Sequence, residues 1–417
     1  MTLEKSKIIK ISATHTSFHE SISTILAFSQ FFGMISVKNV TNSDERLLKF
    51  SWFSIRTIYA ITFLVLGSTE SAFAIRRVFR LGFNIHFAEG LFFFTMSMIR
   101  AILIFKVTLN WKDIIQYWRK AESVFLHPPY FEKGWKLKSK CRCIFIFLIV
   151  QFVFPHVFFL VASGYDNYVN LKTCHMLDDT DFWHNYMQIY RPHLLYHIPY
   201  TPYLLPLYEW INMLQAFVVS FADTLIILFA TGITTRLNQF NDLLEYMMKQ
   251  KEYYHWRKMR HDYVKIVNLI RFTDSHIHIL SFICIGHNSL QFAFRVFKAF
   301  KPNRFNLLSH IHFYFVLIIL AIQLIATLFT CANMNRSALK PLETLRNIPS
   351  KYWSIDFKIL QHLIEIENKR LAFTVVKSSF ITRSMILSLF GTIATFQIIL
   401  LDQVQPERET ICTFVND

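Results

Sequence analysis

Seven stretches of predominantly apolar residues divide the chain. They lie near residues 52–75, 84–106, 143–164, 203–233, 268–297, 306–333 and 380–403. A helix that crosses a bilayer needs about 20 such residues, and each stretch reaches that length. The pattern therefore predicts an all-α membrane protein with seven transmembrane helices.

The last apolar stretch carries a polar stripe. Successive members of the stripe are four or three residues apart, so they share one face of a helix; they are Ser384, Ser388, Thr392, Thr395, Ile399 and Asp402. All but Ile399 are polar, and an acidic residue is costly in lipid unless it meets water or a partner. The stripe predicts a helix that lines a wet path. Close packing of small residues against another helix is the alternative.

Basic residues are concentrated in alternate connections between the apolar stretches. Nine Lys and Arg lie between residues 106 and 142, eight between 236 and 271, and eight between 336 and 377. The positive-inside rule places these connections in the cytoplasm, with the N-terminus inside and the C-terminus outside. This orientation is the reverse of a G-protein-coupled receptor. It also accounts for the net charge of +16 without a nucleic-acid partner. The sequons at Asn39 and Asn335 fall inside and are predicted to be unmodified.

Composition agrees with the pattern of stretches. The chain is 53% hydrophobic and 17% charged, which is too apolar for a soluble domain. We divide it into a cytoplasmic N-terminal segment (1–50), the first six transmembrane helices (51–333), a cytoplasmic anchor segment (334–379), the seventh helix (380–404) and an extracellular tail (405–417).

The connections carry further signals. Residues 234–268 keep a helical period, which indicates either a solvated helix or a cytosolic bundle that packs on residues 353–380 and joins subunits. The spacing of Ile355, Ile359, Leu363 and Ile366 suits the bundle. The connection from Gly164 to Pro202 is rich in Asp and His; we expect a lid over a pocket entrance rather than a metal site. The six cysteines are expected to be mostly free thiols, with a bridge between Cys174 and Cys412 left open.

The C-terminal stretch resembles a known family. Thr382 and Arg383, followed by Gly391, Thr392, Ile393 and Thr395, are similar to a signature of the sugar (sweet taste) branch of insect gustatory receptors. The family pattern of Thr-Tyr, five apolar residues and Gln-Phe stands here as Thr395, Phe396, QIILL, Asp402 and Gln403. Weaker matches follow in order along the chain: Phe18, His19, Glu20, Gln30, Phe32, Gly33, Trp52, Arg56, Thr235, Arg236, Gln239, Phe240, Asn241, Leu345, Arg346, Ile348, Pro349 and Trp353.

The resemblance implies a ligand-gated, non-selective cation channel in the plasma membrane of sensory neurons. It implies a tetramer, either of identical subunits or mixed with related receptor subunits, in which the seventh helix of each subunit lines the pore within membrane lipid. On that helix the pore residues would be Ser388, Thr392, Thr395, Ile399 and Asp402, with Ile399 as an apolar gate and Asp402 as a ring of carboxylates at the outer mouth. Asp402 departs from the family, which has Gln there.

The resemblance also implies a sugar pocket in the outer half of the first six helices. Sugar recognition requires aromatic faces and groups that satisfy hydroxyls. By this chemistry the candidates are Glu89, Tyr208, Glu209, Trp210, Gln215, His287, Asn288, Gln291, His312 and Tyr314. Each polar candidate has an interhelical hydrogen bond as its alternative role, and Tyr208 and Trp210 also fit an interfacial aromatic belt. No cofactor and no metal is expected.

Three other functions compete with a sugar receptor. An odorant-type receptor channel for another small molecule would share the architecture. A secondary transporter is disfavoured by the odd number of spans and the absence of an internal repeat. A membrane acyltransferase is disfavoured because no span carries a paired His and Asp or a nucleophile elbow.

Overall fold

A computed structural model gives the fold of the chain. It describes residues 15–81, 85–174, 181–250, 255–300, 306–367, 371–375 and 379–402, with the side chains of 85–89, 250 and 400–402 left aside.

The described part consists mainly of α-helices. They are α1 (Phe18–Ser29), α2 (Ile55–Leu81), α3 (Ile85–Leu109), α4 (Trp111–Glu122), α5 (Leu137–Thr173), α6 (Phe182–Tyr190), α7 (Pro192–Leu195), α8 (Leu205–Gln250), α9 (Trp256–Ala299), α10 (Leu307–Arg346), α11 (Ile355–Glu367) and α12 (Arg383–Asp402). Strands β1 (Val37–Lys38) and β2 (Lys49–Phe50) form one antiparallel hairpin, and β3 (Thr374–Val375) and β4 (Ser379–Phe380) form another.

The seven predicted spans are present. Six helices are long and apolar enough to cross a membrane, namely α2, α3, α5, α8, α9 and α10, and α12 forms a shorter apolar helix. Several run further than predicted. Helix α8 has 46 residues and is about 69 Å long at 1.5 Å per residue, roughly twice the thickness of the hydrocarbon core. One end of such a helix must therefore leave the bilayer. We call the end of each helix that is predicted to face the cytoplasm its inner end, and the opposite end its outer end.

Helix α8 lies at the centre of the helices. Its most apolar window is 83% buried, whereas the corresponding window of α5 is 17% buried. A helix that is apolar on all sides belongs in a core, and one that exposes apolar side chains from a membrane span faces lipid. Helix α8 is therefore the element against which the other spans are organised.

The inner ends of α8, α9 and α10 form a bundle. Leu237, Phe240 and Leu244 of α8 are fully buried, so the solvated helix that the sequence left open is wrong for this part of the chain. Asn241 Nδ2 donates to the carbonyl of Ser337 on α10 at 2.8 Å.

Helix α11 packs on this bundle as the bundle alternative predicted, but of the four predicted residues only Leu363 takes part. Phe357, Leu360 and Ile364 are buried against it. Two of the residues that were predicted to pack, Ile355 (80% exposed) and Ile366 (53% exposed), lie instead on the open side of the subunit.

The N-terminal segment packs into the inner bundle rather than standing apart. Phe18 stacks on Trp118 with ring centroids 3.9 Å apart. This close approach requires glycine on α8, because a Cβ at Gly232 would lie 2.7 Å from the Phe18 ring. Glu122 accepts from the backbone N–H of Phe18 at 3.0 Å and from Arg236 at 2.7 Å. Burial raises the pKa of Glu122, and the neighbouring Arg236 acts in the opposite direction.

The cysteines and sequons bear on the predicted orientation. Cys141, Cys143, Cys284 and Cys331 are free thiols. Cys174 is disulfide-bonded, and Cys412 lies outside the described residues. Asn335 uses its amide nitrogen to donate to the carbonyl of Leu371 at 2.9 Å, so glycosylation there would break a contact of the inner bundle.

Candidate functional site

A cap of two short helices covers the outer ends of α5 and α8. Asp181 caps α6 by accepting from the backbone N–H of Trp183 at 2.9 Å. Asn167 on α5 holds α6 in place, because it donates to the carbonyl of Phe182 at 3.0 Å and accepts from Asn185 at 2.7 Å. The turn from α6 into α7 places Arg191 and His193 among the helices beneath the cap, where both side chains are buried.

The first group of polar side chains under the cap is centred on Glu70. This carboxylate is 4% exposed and lies within the apolar helix α2. His193 Nε2 lies 3.3 Å from its Oε1, and Gln215 Nε2 on α8 donates to its Oε2 at 3.1 Å. Burial lowers the pKa of His193, and Glu70 acts in the opposite direction. Glu70 thus joins the cap to two transmembrane helices.

The second group pairs Arg191 with Glu209. Arg191 Nη2 lies 3.6 Å from Glu209 Oε1, and the Tyr186 hydroxyl lies 3.5 Å from the same oxygen. The Arg191 guanidinium carbon lies 5.6 Å from the centre of the Phe94 ring, which the His193 ring also approaches at 4.6 Å. Charged and aromatic groups therefore meet beneath the cap.

Several polar atoms in this region are buried without a hydrogen-bond partner. Among the described residues they include Gln215 Oε1, Glu209 Oε2, Arg191 Nε and both ring nitrogens of His287. A buried polar atom left unpaired costs about 1–3 kcal/mol. Native proteins rarely leave such groups unsatisfied except where water, an ion or a ligand completes them. These atoms are therefore available to a water molecule, an ion or a ligand.

A buried ion pair forms a deeper layer. The side chains of Arg100 on α3 and Asp223 on α8 have no exposed surface and approach to 3.5 Å. Arg100 donates to Asn288 Oδ1 on α9 at 2.8 Å, and Asn288 Nδ2 donates to Asp223 at 2.9 Å. Gln323 on α10 also donates to Asp223. Four helices are tied together by this group, which we call the four-helix clamp.

Helix α12 has one packed face and one open face. Ile386, Ile393 and Gln397 are buried, and Gln397 Nε2 donates to the carbonyl of Ala293 on α9 at 2.8 Å. The predicted polar stripe lies on the open side of the subunit; its members Ser384, Ser388, Thr392, Thr395 and Ile399 are all exposed. Two hydroxyls of the stripe, those of Thr392 and Thr395, donate to carbonyls one turn earlier on the helix, at 2.9 and 3.0 Å.

A family model described as trehalose receptor matches residues 4–412. The chain belongs to this family. Trehalose-receptor membership covers nearly the whole chain and confirms the sequence-based resemblance and the exclusion of an enzyme.

Relatives of this trehalose receptor family member extend over similar lengths. The gustatory receptor for sugar taste 64b of Drosophila melanogaster is 24% identical over 390 residues, which are 93% of this chain and 95% of that protein. The gustatory receptor 5a for trehalose of the same fly is 24% identical over 407 residues, 96% and 88% of the two chains.

Solved structures identify the fold. The insect olfactory receptor OR5 from Machilis hrabei in complex with eugenol aligns with a TM-score of 0.65 at 12% identity, covering 92% of this chain and 97% of that chain. A second structure of the same receptor aligns with a TM-score of 0.64. This family member therefore has the fold of an insect olfactory receptor, as the resemblance implied.

The structure brings some of the sequence-predicted pocket residues of the receptor together. Glu209 and Gln215 lie in the two groups beneath the cap, and Tyr208 packs beside Tyr186 and Leu194 of the cap. Asn288 belongs to the four-helix clamp, and His287 precedes it. Gln291 lies one turn further out on α9 and is also buried.

Other predicted residues are placed elsewhere. Trp210 (45% exposed) and Tyr314 (48% exposed) lie on the outside of the subunit. His312 packs against α5, with its ring 5.3 Å from that of Phe158. The side chains of Glu89 and Asp402 fall outside the described residues; only the helical backbone is described at these positions.

Sequence reasoning missed five buried ionisable groups beneath the cap and in the clamp, namely Glu70, Arg100, Arg191, His193 and Asp223. A signal existed for three of them, because Glu70, Arg100 and Asp223 each interrupt an apolar helix, and an ionisable residue within a membrane span is a functional candidate by default. The described residues contain no cluster that could hold a metal ion.

Proposed function

We propose that this chain is a subunit of a sugar-gated cation channel of the plasma membrane of sensory neurons. The observation that carries the proposal is the set of buried, unpartnered polar atoms beneath the cap, in a member of the trehalose receptor family. The sugar specificity in the names of its Drosophila relatives supports the same ligand class.

The chemistry beneath the cap suits a polyhydroxylated ligand. Glu209 Oε2 and Gln215 Oε1 are free to accept hydrogen bonds from sugar hydroxyls, and Arg191 Nε is free to donate one. Phe94 and Tyr186 supply aromatic surface at the same place. Each ligand hydroxyl that forms a hydrogen bond here satisfies a protein group that is otherwise buried and unpaired. A ligand without hydroxyls should therefore bind less tightly. The deeper His287, with two unpartnered ring nitrogens, extends the site toward the four-helix clamp.

The open stripe on α12 supports a pore shared between subunits. A continuous stripe of hydroxyl-bearing side chains gains little from contact with lipid, and four copies arranged around an axis would enclose it. In this arrangement Ser388, Thr392 and Thr395 line the pore and Ile399 forms an apolar constriction that closes it by dewetting. Asp402 at the outer end of α12 would attract cations.

The exposed face of α11 suits contacts between the subunits. Ile355, Ile359 and Ile366 present an apolar surface on an element predicted to lie in water, where an uncovered apolar patch indicates an interface. We assign residues 334–379 to this anchor role, with the N-terminus inside and residues 405–417 outside. Identical subunits or related receptor subunits would both fit such a surface.

Electrical recording tests the proposal. Cells that express this chain alone are exposed to a panel of mono- and disaccharides, and we expect a cation current that appears on sugar addition and saturates with concentration. Gln215→Met keeps side-chain length but removes both the free oxygen and the Nε2 donor to Glu70. The lost hydrogen bond to the sugar, about 1.5 kcal/mol, would raise the half-activating concentration roughly tenfold.

Trp210→Phe is the matched control. It changes a residue of the same helix that faces away from the buried groups, and it should leave the half-activating concentration unchanged. Slow saturable uptake of sugar without current would instead indicate a transporter. Equal shifts in both variants would contradict the placement of the site.

A further inference from the structure

A groove lies at the inner end of α2, on the side of the molecule opposite the cap. It measures about 840 Å³ and is formed by the end of α1, the β1–β2 hairpin and the first residues of α2. Three side chains give it an open apolar wall: Phe31 (74% exposed), Phe53 (94%) and Ile55 (83%). These side chains stand at the point where α2 begins its membrane span, so the groove opens toward the predicted inner leaflet.

The groove is a built feature of the chain. Gln30 Nε2 donates to the carbonyls of Ile35 and Val37, at 2.9 and 2.6 Å, and so fixes the turn between α1 and β1. Gly33 permits that turn because its φ of +74° lies in the left-handed region. The Tyr59 hydroxyl on α2 donates to the carbonyl of Phe31 at 3.3 Å. Backbone and side chains thus hold the apolar wall against the hairpin.

Positive charge borders the apolar wall. Lys38 and Arg56 line the groove, and Lys38 stands directly opposite Lys49 in the hairpin. Like charges placed directly opposite across two strands repel each other. Within the described residues, none of these three cations has a carboxylate partner.

The nearby acids do not cancel this charge. Of the two acids in the hairpin loop, Asp44 accepts from the backbone N–H of Arg46 and Glu45 pairs with Arg119 at 3.5 Å.

We propose that this groove binds an anionic phospholipid of the inner leaflet. The acyl chains would lie along Phe31, Phe53 and Ile55, and the headgroup phosphate would lie between Lys38 and Arg56, where it also relieves the repulsion between Lys38 and Lys49. Apolar and basic surfaces that adjoin at a membrane boundary match the two parts of such a lipid. The site is independent of the proposed sugar site, which lies at the other end of α2.

Native mass spectrometry of the full-length protein in detergent tests the proposal. Phosphatidylserine, phosphatidylinositol 4,5-bisphosphate and phosphatidylcholine are added separately, and the two anionic lipids are expected to bind more tightly than phosphatidylcholine. The double variant Lys38→Gln, Arg56→Gln should weaken anionic lipid binding about 25-fold, because each basic side chain at a membrane surface contributes about fivefold. Lys112→Gln, Lys120→Gln removes the same charge from exposed positions of α4 and should change binding by less than about twofold.

Three controls keep the proposal open to refutation. Phe53→Ser should weaken lipid binding while leaving the charge unchanged, and it serves as the second variant if the double variant fails to fold. Soluble inositol 1,4,5-trisphosphate should compete poorly; equal competition would show a phosphate site and overturn the lipid assignment. A change of oligomeric state in the double variant would show that a second subunit covers the groove, and unchanged lipid binding in both variants would also overturn the proposal.

Discussion

Glu70 is expected to control sugar sensitivity by orienting Gln215. The carboxylate accepts from Gln215 Nε2 at 3.1 Å, which leaves Gln215 Oε1 as the free acceptor. In Glu70→Gln, the new amide presents a donor where only acceptors stood. The bond to Gln215 can then be restored by rotating the Gln215 amide, so that its oxygen turns toward position 70 and its N–H₂ faces the sugar site.

The expected changes in stability and in sugar sensitivity follow from the two hydrogen bonds of Glu70, to His193 and to Gln215. A hydrogen bond to a charged group contributes about 1.5–3 kcal/mol and one between neutral groups about 0.5–1.5 kcal/mol. Glu70→Gln should therefore cost about 2 kcal/mol of stability over its two bonds, which leaves the protein folded. Reversal of the Gln215 amide exchanges an acceptor for a donor at the ligand. A mismatch of about 1.5–2 kcal/mol there raises the half-activating sugar concentration about 10- to 30-fold. Glu70→Leu leaves both donors without a partner and should mainly reduce the amount of folded receptor.

The assay is a sugar dose–response curve of whole-cell current, with surface protein and thermal midpoint measured on the same variants. Glu343→Gln neutralises an exposed carboxylate at the inner end of α10 and is the control. If Glu70→Gln lowers the thermal midpoint but keeps the half-activating concentration within twofold of wild type, Glu70 has only a structural role and the orientation argument is wrong.

Further expectations concern the pore, its contact with α9, and pH. Ile399→Ala should raise the current measured without sugar, and Asp402→Asn should reduce the conductance and the block by divalent cations. Single-channel records that a substitution leaves unchanged would contradict the placement of that residue in the pore. Gln397→Met deletes the hydrogen bond to Ala293 together with a buried unpaired oxygen. The free energy of unfolding should therefore change by less than about 1 kcal/mol, while the sugar dose–response curve shifts. An unshifted curve would show that this bond does not contribute to gating. Burial lowers the pKa of His193 below 6.5 in the folded state. Its contribution to stability is therefore complete above pH 6.5 and is lost as pH falls toward the folded-state pKa. Thermal midpoints should fall below pH 6.5, less so in His193→Asn, and parallel curves would contradict this.

The transmembrane helices were predictable because length and apolarity determine whether a segment can cross a bilayer. The packing of the inner ends of these helices was less predictable. Leu237, Phe240 and Leu244 carry a helical period that fits both a solvated helix and a bundle, and only contact with α10 decides between them. For α11 the period identified an apolar face at Ile355 and Ile366, but a helix with two apolar faces does not reveal which one packs within its own subunit.

The site was partly predictable for a related reason. Glu209 and Gln215 were found because polar residues at the outer end of an apolar span are conspicuous. Trp210 has the same local signal, yet its position on α8 turns it outward. Arg191 and His193 lie in a connection whose sequence indicates only a lid, and their burial depends on how α6 and α7 fold back over α8. Residues that meet from distant parts of the chain show no regular spacing, so a sequence pattern does not reveal their contact.

The four-helix clamp limits how the receptor can move. Breaking a buried ion pair costs about 3–5 kcal/mol, whereas a ligand typically supplies about 1–3 kcal/mol of coupling between sites. If sugar opens the channel as proposed, it does not supply enough free energy to separate Arg100 from Asp223. We therefore expect α3, α8, α9 and α10 to move as one rigid body. In the proposed channel, the displacement that opens the pore is left to the spans that the clamp does not hold, which are α2, α5 and α12.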